Sequence, residues 1–400
     1  MDLSNQIILV GGILSVLAVF AGIASVRLGA PVLLGLIVVG MLAGEDGPGG
    51  IPFDNFQAGY LIGSIALALI LFEGGISTKR GMLRRALWPA ISLATAGVAL
   101  SALIVAAAAR LLLHAPWPEG LLLGAAIAPT DAAAVAVQLR VSRVAVPARV
   151  VAALELESGL NDPMSVFLTL ALIAFMQHPD SFSVGRELLS FAREMGGGAV
   201  IGLGAGYVLM RLFQRLKTVE SVFPVLALGV ALVAFGGAQM AGASGFLASY
   251  LAGVVVGNSE HPAAQPVTRF FETLGWVAQN ALFLMLGLLV TPHRLLPLLG
   301  AAALISAVLV LIARPISVGM SLAPFRWSAR EITFISWAGL RGAVPIYLTI
   351  IPLLEGVGTG EHLFDIVFVA VIISVALQGP TLNAAARLLG LRGEAPNPRS

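Results

Sequence analysis

Apolar runs of about 18 residues or more, each enough to cross a lipid bilayer, recur along the whole sequence. In lipid every backbone N–H and C=O must be satisfied inside the protein, so such runs dictate helices. Thirteen candidate spans result, at residues 6–26, 31–44, 60–77, 86–113, 119–139, 146–176, 188–210, 221–238, 243–257, 270–290, 295–320, 330–352 and 363–386. The second and ninth are the shortest. Composition agrees with this reading. Of 400 residues, 58% are hydrophobic and 11% charged, where a soluble domain carries about 25% charged residues. Mean hydropathy is +0.95. Residues 1–26 carry Asp2 and no basic leading region, so they read as a first span rather than a cleaved signal peptide. The absence of cysteine excludes disulfides, thiolate chemistry and cysteine-ligated metals. No lysine-rich run suggests nucleic acid.

The distribution of basic residues orients these spans. With the N-terminus outside, the inner loops collect 17 of the 23 Lys and Arg residues and the outer loops four, Arg110, Arg186, Arg193 and Arg294. Arg314 and Arg341 fall within spans. This alternation requires an odd number of spans and a cytoplasmic C-terminus. The expected architecture is an all-α polytopic membrane protein of about 13 transmembrane helices, with a membrane domain over residues 1–390 and a short cytoplasmic tail over 391–400.

Two spans carry helix breakers and a charge at their centres. The fifth reads Ile127-Ala-Pro-Thr-Asp-Ala-Ala-Ala134, and the twelfth Ala338-Gly-Leu-Arg-Gly-Ala-Val-Pro345. Separated by an odd number of spans, they enter the membrane from opposite sides. That is the pattern of an inverted repeat with two broken helices, which places a transport site between them. The alternative is a pair of ordinary proline kinks.

Ionisable residues at bilayer depth are costly and mark function by default. Here they are Glu73, Asp131, the cluster Leu154-Glu-Leu-Glu-Ser-Gly-Leu-Asn-Asp-Pro163, Arg314 and Arg341. Asp162 lies 13 residues beyond Arg149, about 20 Å along a helix. Glu155, Ser158 and Asp162 share one helix face, and Glu157 and Asn161 another. A hard monovalent cation wants several oxygens. Asp162, Asp131, Ser158, Thr130 and main-chain carbonyls freed near Pro129 can supply them, with Glu73 as an outer ligand. The same carboxylates can hold protons instead, the minimum needed for exchange. Arg341, always protonated, is expected to pair with Glu157 and to offset half-helix dipoles. Glu155 is expected at the entrance, and Arg314 to snorkel or pair structurally. The glycine-rich 40–50 stretch lacks the Gly-Lys-Ser/Thr ending of a phosphate loop.

Taken together, Leu71-Phe-Glu-Gly-Gly75, Pro129-Thr-Asp-Ala132, Glu157-Ser-Gly-Leu-Asn-Asp162 and Gly339-Leu-Arg-Gly-Ala-Val-Pro345 resemble the NhaP-type branch of the cation/proton antiporters. The match runs over nearly the whole chain. The segment from Gly40 to Asn55 resembles the bacterial potassium/proton subgroup. The resemblance implies the NhaA/NhaP-like inverted-repeat fold, a homodimer whose six-helix core moves against a dimer domain, and a place in pH homeostasis at the bacterial inner membrane. It implies an ion site at Asp162, Ser158, Asp131 and Thr130, with Glu73 reached through water. It implies stabilisation of that site by Glu157 and Arg341 with Asn161 beside them. An Asn-Asp pair, where relatives have Asp-Asp, implies electroneutral exchange. The potassium subgroup often has Asp at the position of Glu73, so the ion is K+ or Na+. That subgroup also often carries a soluble regulatory domain after the last helix, so the expectation is a short or trimmed form.

The function expected is secondary active exchange of K+ or Na+ for H+ by alternating access, with no enzymatic activity and no cofactor beyond the transported ions. A cation channel or uniporter using the same acidic site is the alternative; counter-transport and a slow, saturable rate separate the two. An intramembrane protease is disfavoured. Asp131 and Asp162 lack a Gly-x-Gly-Asp setting, and all five histidines lie in loops or at span ends.

Overall fold

The computed structural model describes residues 2–28, 31–141, 146–216, 219–261 and 263–391. The chain begins with α1 (Asp2–Leu28), α2 (Val32–Ala43) and α3 (Phe56–Ser77). α4 (Arg80–Ser92) runs through a π-helical turn at Leu93–Gly97 into α5 (Val98–Leu112). α6 (Trp117–Ile127) and α7 (Ala132–Val141) form one interrupted helix, followed by α8 (Ala148–Gln177), α9 (Val184–Arg215), α10 (Val222–Met240), α11 (Gly245–Gly257) and α12 (Ala264–Leu289). Short α13 (Pro292–Leu295) leads to α14 (Leu299–Val308), a second π-helical turn at Leu309–Ala313, and α15 (Arg314–Leu322). α16 (Ala329–Trp337) and α17 (Ala343–Leu354) flank a second interruption, and α18 (Gly360–Leu388) is last.

Among the described residues, nine continuous helical segments are long and apolar enough to cross a membrane. The pair α6–α7, bent by 41° at its break, makes a tenth. By length and apolarity the count is thus nine or ten, against thirteen read from the sequence. The difference lies in three short apolar helices. α2 and α11, at the second and ninth expected spans, have 12 and 13 residues, about 18–20 Å of helix against a hydrocarbon layer of about 30 Å. α17 has 12, because glycines at 339 and 342 leave the chain unwound before it. Large apolar side chains face outward, Ile8, Val200 and Leu111 each more than 70% exposed, as suits a lipid solvent. The chain is a multi-pass membrane protein. Of the basic residues used to orient it, Arg143, Lys217, Arg392 and Arg399 lie outside the described residues, as does the expected tail beyond Leu391.

The helices pack as two groups. In one, α11 lies on α3 and α9, α12 on α3 and α2, α1 on α2, and α10 on α11 and α9. In the other, α4 lies on α8, α5 on α6, α6 on α8, α15 on α16, and both α14 and α17 on α18. The groups meet chiefly where α3 and α12 face α17, and where α11 faces α8. Near the loop after α2, polar contacts link the groups through α13. His293 Nδ1 lies 2.7 Å from Asp46, and Arg294 lies 2.6 Å from Glu361 and 3.6 Å from Asp365 on α18.

The crossing of α3 and α11 depends on glycine. A Cβ at Gly253 would strike the Phe72 carbonyl oxygen, one at Gly257 that of Ile76, and one at Gly75 that of Tyr250. Backbones this close pack by van der Waals contact, the main attraction between helices in lipid. Gly253→Ala must push the helices apart and is expected to destabilise the protein by about 1–3 kcal/mol. A lowered melting temperature in detergent would report it, and an unchanged one would mean that the crossing is looser than described.

Candidate functional site

The site forms where the two interrupted helices approach each other beside α8. Pro129 has no N–H with which to continue α6, and the chain restarts with Asp131 capping α7. Its Oδ1 accepts from the Ala134 N–H at 2.9 Å, a carboxylate at the positive end of a half-helix. On the other side Pro345 falls in the first turn of α17, where its missing N–H has no helical partner to lose. The two breaks satisfy each other. The Asp131 N–H donates to the Leu340 carbonyl at 2.8 Å. The buried Arg341 guanidinium donates through Nη1 to the Ala128 carbonyl and, at 3.0 Å, to that of Pro129. These carbonyls end α6, so a positive charge meets the negative end of its dipole. Gly342 sits so close to Asp131 that a Cβ there would strike its Oδ2.

α8 supplies the third wall. Asp162 lies at its centre, the fifteenth of 30 residues. Ser158 Oγ donates to the Thr130 carbonyl at 2.8 Å and accepts from the Ala132 N–H at 3.3 Å, which repairs part of the first break. Asn161 Nδ2 donates to Thr130 Oγ1 at 2.8 Å. Asn161 therefore reaches the same broken segment as Ser158, although the helical wheel set the two on different faces. Asp162 is 7% exposed, and its Oδ1 is buried with no hydrogen-bond partner among the described residues. Thr130, Asp131, Ser158, Asp162 and Gly342 line a cavity of about 90 Å³, closed from the other helix group by Leu67, Leu71, Tyr250, Gln279 and Phe283. A single water needs only about 10–15 Å³ of such space.

Two expected members stand apart. Glu73 does not line this cavity. It lies two residues beyond Leu71, about 200° around the helix, where its Oε1 accepts from Ser77 Oγ at 3.1 Å and its stem approaches Gly275 of α12. Glu155, half-buried one turn before Ser158, lies within electrostatic reach of Tyr250 rather than in the cavity.

The expected pairing of Glu157 with Arg341 is corrected. The fully buried Glu157 is held by Arg314, with Nη1 to Oε1 at 2.5 Å and Nη2 to Oε2 at 2.9 Å. The physical reason is the π-helical turn just before Arg314. Its extra residue per turn accommodates Pro315, which would otherwise clash with the preceding turn, and leaves Arg314 facing the core. The sequence showed Arg314 as a mid-span charge but carried no sign of that turn. Ser374 and Gln378 of α18 were also not singled out. Ser374 Oγ accepts from the Arg341 N–H at 3.1 Å and donates to Gln378 Oε1 at 2.5 Å, while Gln378 Nε2 donates to the Trp337 carbonyl at 2.8 Å. Both side chains tie down the second break. Their i, i+4 spacing on an apolar helix was the available signal.

A multi-pass membrane protein with two interrupted helices meeting beside buried carboxylates has the architecture of a secondary transporter. Residues 14–388 match the model of the sodium/hydrogen exchanger transmembrane family. The chain is 42% identical over 389 residues to the K(+)/H(+) antiporter NhaP2 of Shewanella sp. (strain ANA-3), covering 97% of this chain and 67% of the relative. It is 43% identical over 392 residues to the K(+)/H(+) antiporter NhaP of Alkalimonas amylolytica, covering 98% and 68%. The sodium proton antiporter MjNhaP1 of Methanocaldococcus jannaschii has the same fold, with a TM-score of 0.84 at 24% identity over 98% of this chain and all of that one. The chain belongs to the sodium/hydrogen exchanger family, in its NhaP-type branch.

Removing Arg314 alone strands a buried carboxylate. Arg314→Ala is expected to cost about 3–5 kcal/mol of stability, whereas the double variant Glu157→Gln/Arg314→Gln recovers much of that loss. Thermal unfolding of the two variants in detergent checks the pairing. Equal losses in both would place the importance of Arg314 elsewhere.

Proposed function

We propose that the protein is a secondary active antiporter exchanging K+, or Na+, for H+ at the carboxylates of Asp162 and Asp131. The observation that carries this reading is the buried, unpartnered Asp162 Oδ1 in a small cavity shared with Asp131. An ionised carboxylate buried without a partner is strongly disfavoured, so it must either take a proton or hold a cation. Ser158 Oγ and Thr130 Oγ1 each keep a lone pair after the hydrogen bonds described above. With the carboxylates they form an oxygen set suited to a hard monovalent ion. Asn161 beside Asp162 adds no charge, which favours electroneutral exchange of one cation for one proton. Glu157, bound to Arg314, and Arg341, bound to the first break, support the site without taking part in the exchange. Glu73 acts only through intervening water, and Glu155 marks an entrance. The names of the NhaP2 and NhaP relatives favour K+, while a relative from Synechocystis sp. at 29% identity is named a Na(+)/H(+) antiporter.

In this reading the group containing α4–α8 and α14–α18 is the six-helix core, and the other group is the dimer domain of a homodimer. The core carries the site between two access states, and it crosses only when a cation or a proton neutralises the carboxylates. The two π-helical turns, one after α4 and one after α14, occupy matching places in two halves of an inverted repeat. With α2, α11 and the pair α16–α17 each taken as a span, thirteen spans put the N-terminus outside and the C-terminus in the cytoplasm of a bacterial inner membrane. The chain's match to about two thirds of its relatives' length fits a further regulatory domain in the whole proteins.

Proton flux in proteoliposomes carrying a pH-sensitive dye tests the reading, with K+ and Na+ pulses given separately. The wild type is expected to move protons in response to one or both cations, independently of membrane potential. Asp162→Asn is expected to fall to the level of protein-free liposomes. Cation flux without coupled proton movement would make the protein a channel or uniporter.

A further inference from the structure

A second cavity, of about 500 Å³, opens on the surface of the core group, beside the start of α8 rather than at the carboxylates. Its wall combines three arginines, Arg84, Arg85 and Arg149, with Trp88, Phe325 and Trp327, and among the described residues it contains no carboxylate. Arg149 is already committed. It forms a two-pronged ion pair with Glu331 and stacks over Trp327, its Cζ 4.9 Å from the ring centroid. Arg84 and Arg85 are exposed and have no ion-pair partner among the described residues. Between Phe325 and Trp327 the chain turns through Arg326 at φ 54, a left-handed conformation rare for a residue other than glycine. The strained turn brings both rings onto one wall.

The depth of this cavity is set by helix length. The helical segment Arg80–Leu112 has 33 residues, about 50 Å at 1.5 Å per residue, which exceeds the hydrocarbon layer by about 20 Å. Arg84 and Arg85, in its first turns, therefore stand at head-group level, and Trp88 one turn deeper stands at the interface where tryptophan concentrates. Phe325 ends the similarly long segment Pro292–Phe325. The cavity is cationic at its outer rim and aromatic or aliphatic, with Leu83 and Leu87, below.

We propose that this cavity binds the phosphodiester head group of an anionic glycerophospholipid. Arg84 and Arg85 hold the phosphate oxygens, to which guanidinium donors are matched, while Trp88 and Phe325 pack against the glycerol and upper acyl carbons. A soluble phosphate would use the rim alone and leave the apolar wall bare, so the mixed lining favours a lipid. Since the cavity lies between α4, α8 and the turn after α15, all in the core group, the lipid would travel with that group.

Native mass spectrometry of the protein in neutral detergent tests this, with titrations of phosphatidylglycerol, phosphatidylcholine and inorganic phosphate. The wild type is expected to retain phosphatidylglycerol over phosphatidylcholine. Arg84→Gln/Arg85→Gln is expected to lose about 25-fold in phosphatidylglycerol affinity, at about fivefold for each basic residue at an anionic surface, with its lipid-free melting temperature unchanged. Arg84→Gln alone is expected to lose about fivefold, and Arg84→Lys/Arg85→Lys to keep most of the binding. Unchanged phosphatidylglycerol affinity in either Gln variant would overturn the proposal. So would inorganic phosphate that competes as well as the lipid, which would assign the cavity to a soluble anion.

Discussion

Two interrupted helices survive in a membrane protein only because each satisfies the backbone groups that the other exposes. A backbone polar group left unpaired in hydrocarbon costs several kcal/mol, and each break frees more than one. Here the Asp131 N–H finds the Leu340 carbonyl, and the carbonyls of Ala128 and Pro129 find Arg341. Ser158 closes a third gap at the Thr130 carbonyl. These bonds hold the Asp131 carboxylate against Gly342 and opposite Asp162. The rest of the site's geometry follows from the mutual repair of the breaks.

That repair also sorts the charges. Arg341 serves the broken backbone, and Arg314 serves Glu157. Among the described residues each buried cation already has its work, and Asp162 keeps a buried oxygen without a partner. The proposed exchange depends on that division. Were Arg341 turned toward Asp162, the carboxylate would be permanently neutralised and would have no use for a cation. The pairing of Glu157 with Arg314 ties α8 to α15 within the core group.

Much of this was legible in the sequence because membrane burial makes charge conspicuous. Asp131, Asp162, Ser158 and Thr130 were identified from oxygen chemistry at mid-span depth, and the structure brings all four to one cavity. The breaks at 128–131 and 338–342 were legible from proline and glycine beside a charge. Other features were not. The face on which Arg314 emerges depends on the π-helical turn Leu309–Ala313, which displaces every later side chain relative to a regular helix and has no compositional mark. Asn161 reaches Thr130 because the broken segment wraps around α8, which a helical wheel cannot represent. Glu73 lies outside the cavity because, two residues past Leu71, it emerges from the opposite face of α3. The span count diverged at α2, α11 and α17, since apolar composition marks a buried helix without fixing whether it reaches both surfaces.

The central claim is that a cation and a proton compete for the same carboxylates. It is tested most directly by adding K+ or Na+ to the purified protein in weakly buffered detergent solution, with a pH-indicating dye to follow protons and calorimetry on the same sample to follow binding. The account predicts that binding the transported cation releases protons, with the two signals saturating together and proton release fading as pH rises above the range in which the carboxylates are protonated. Saturable cation binding with no proton release at any pH would contradict it.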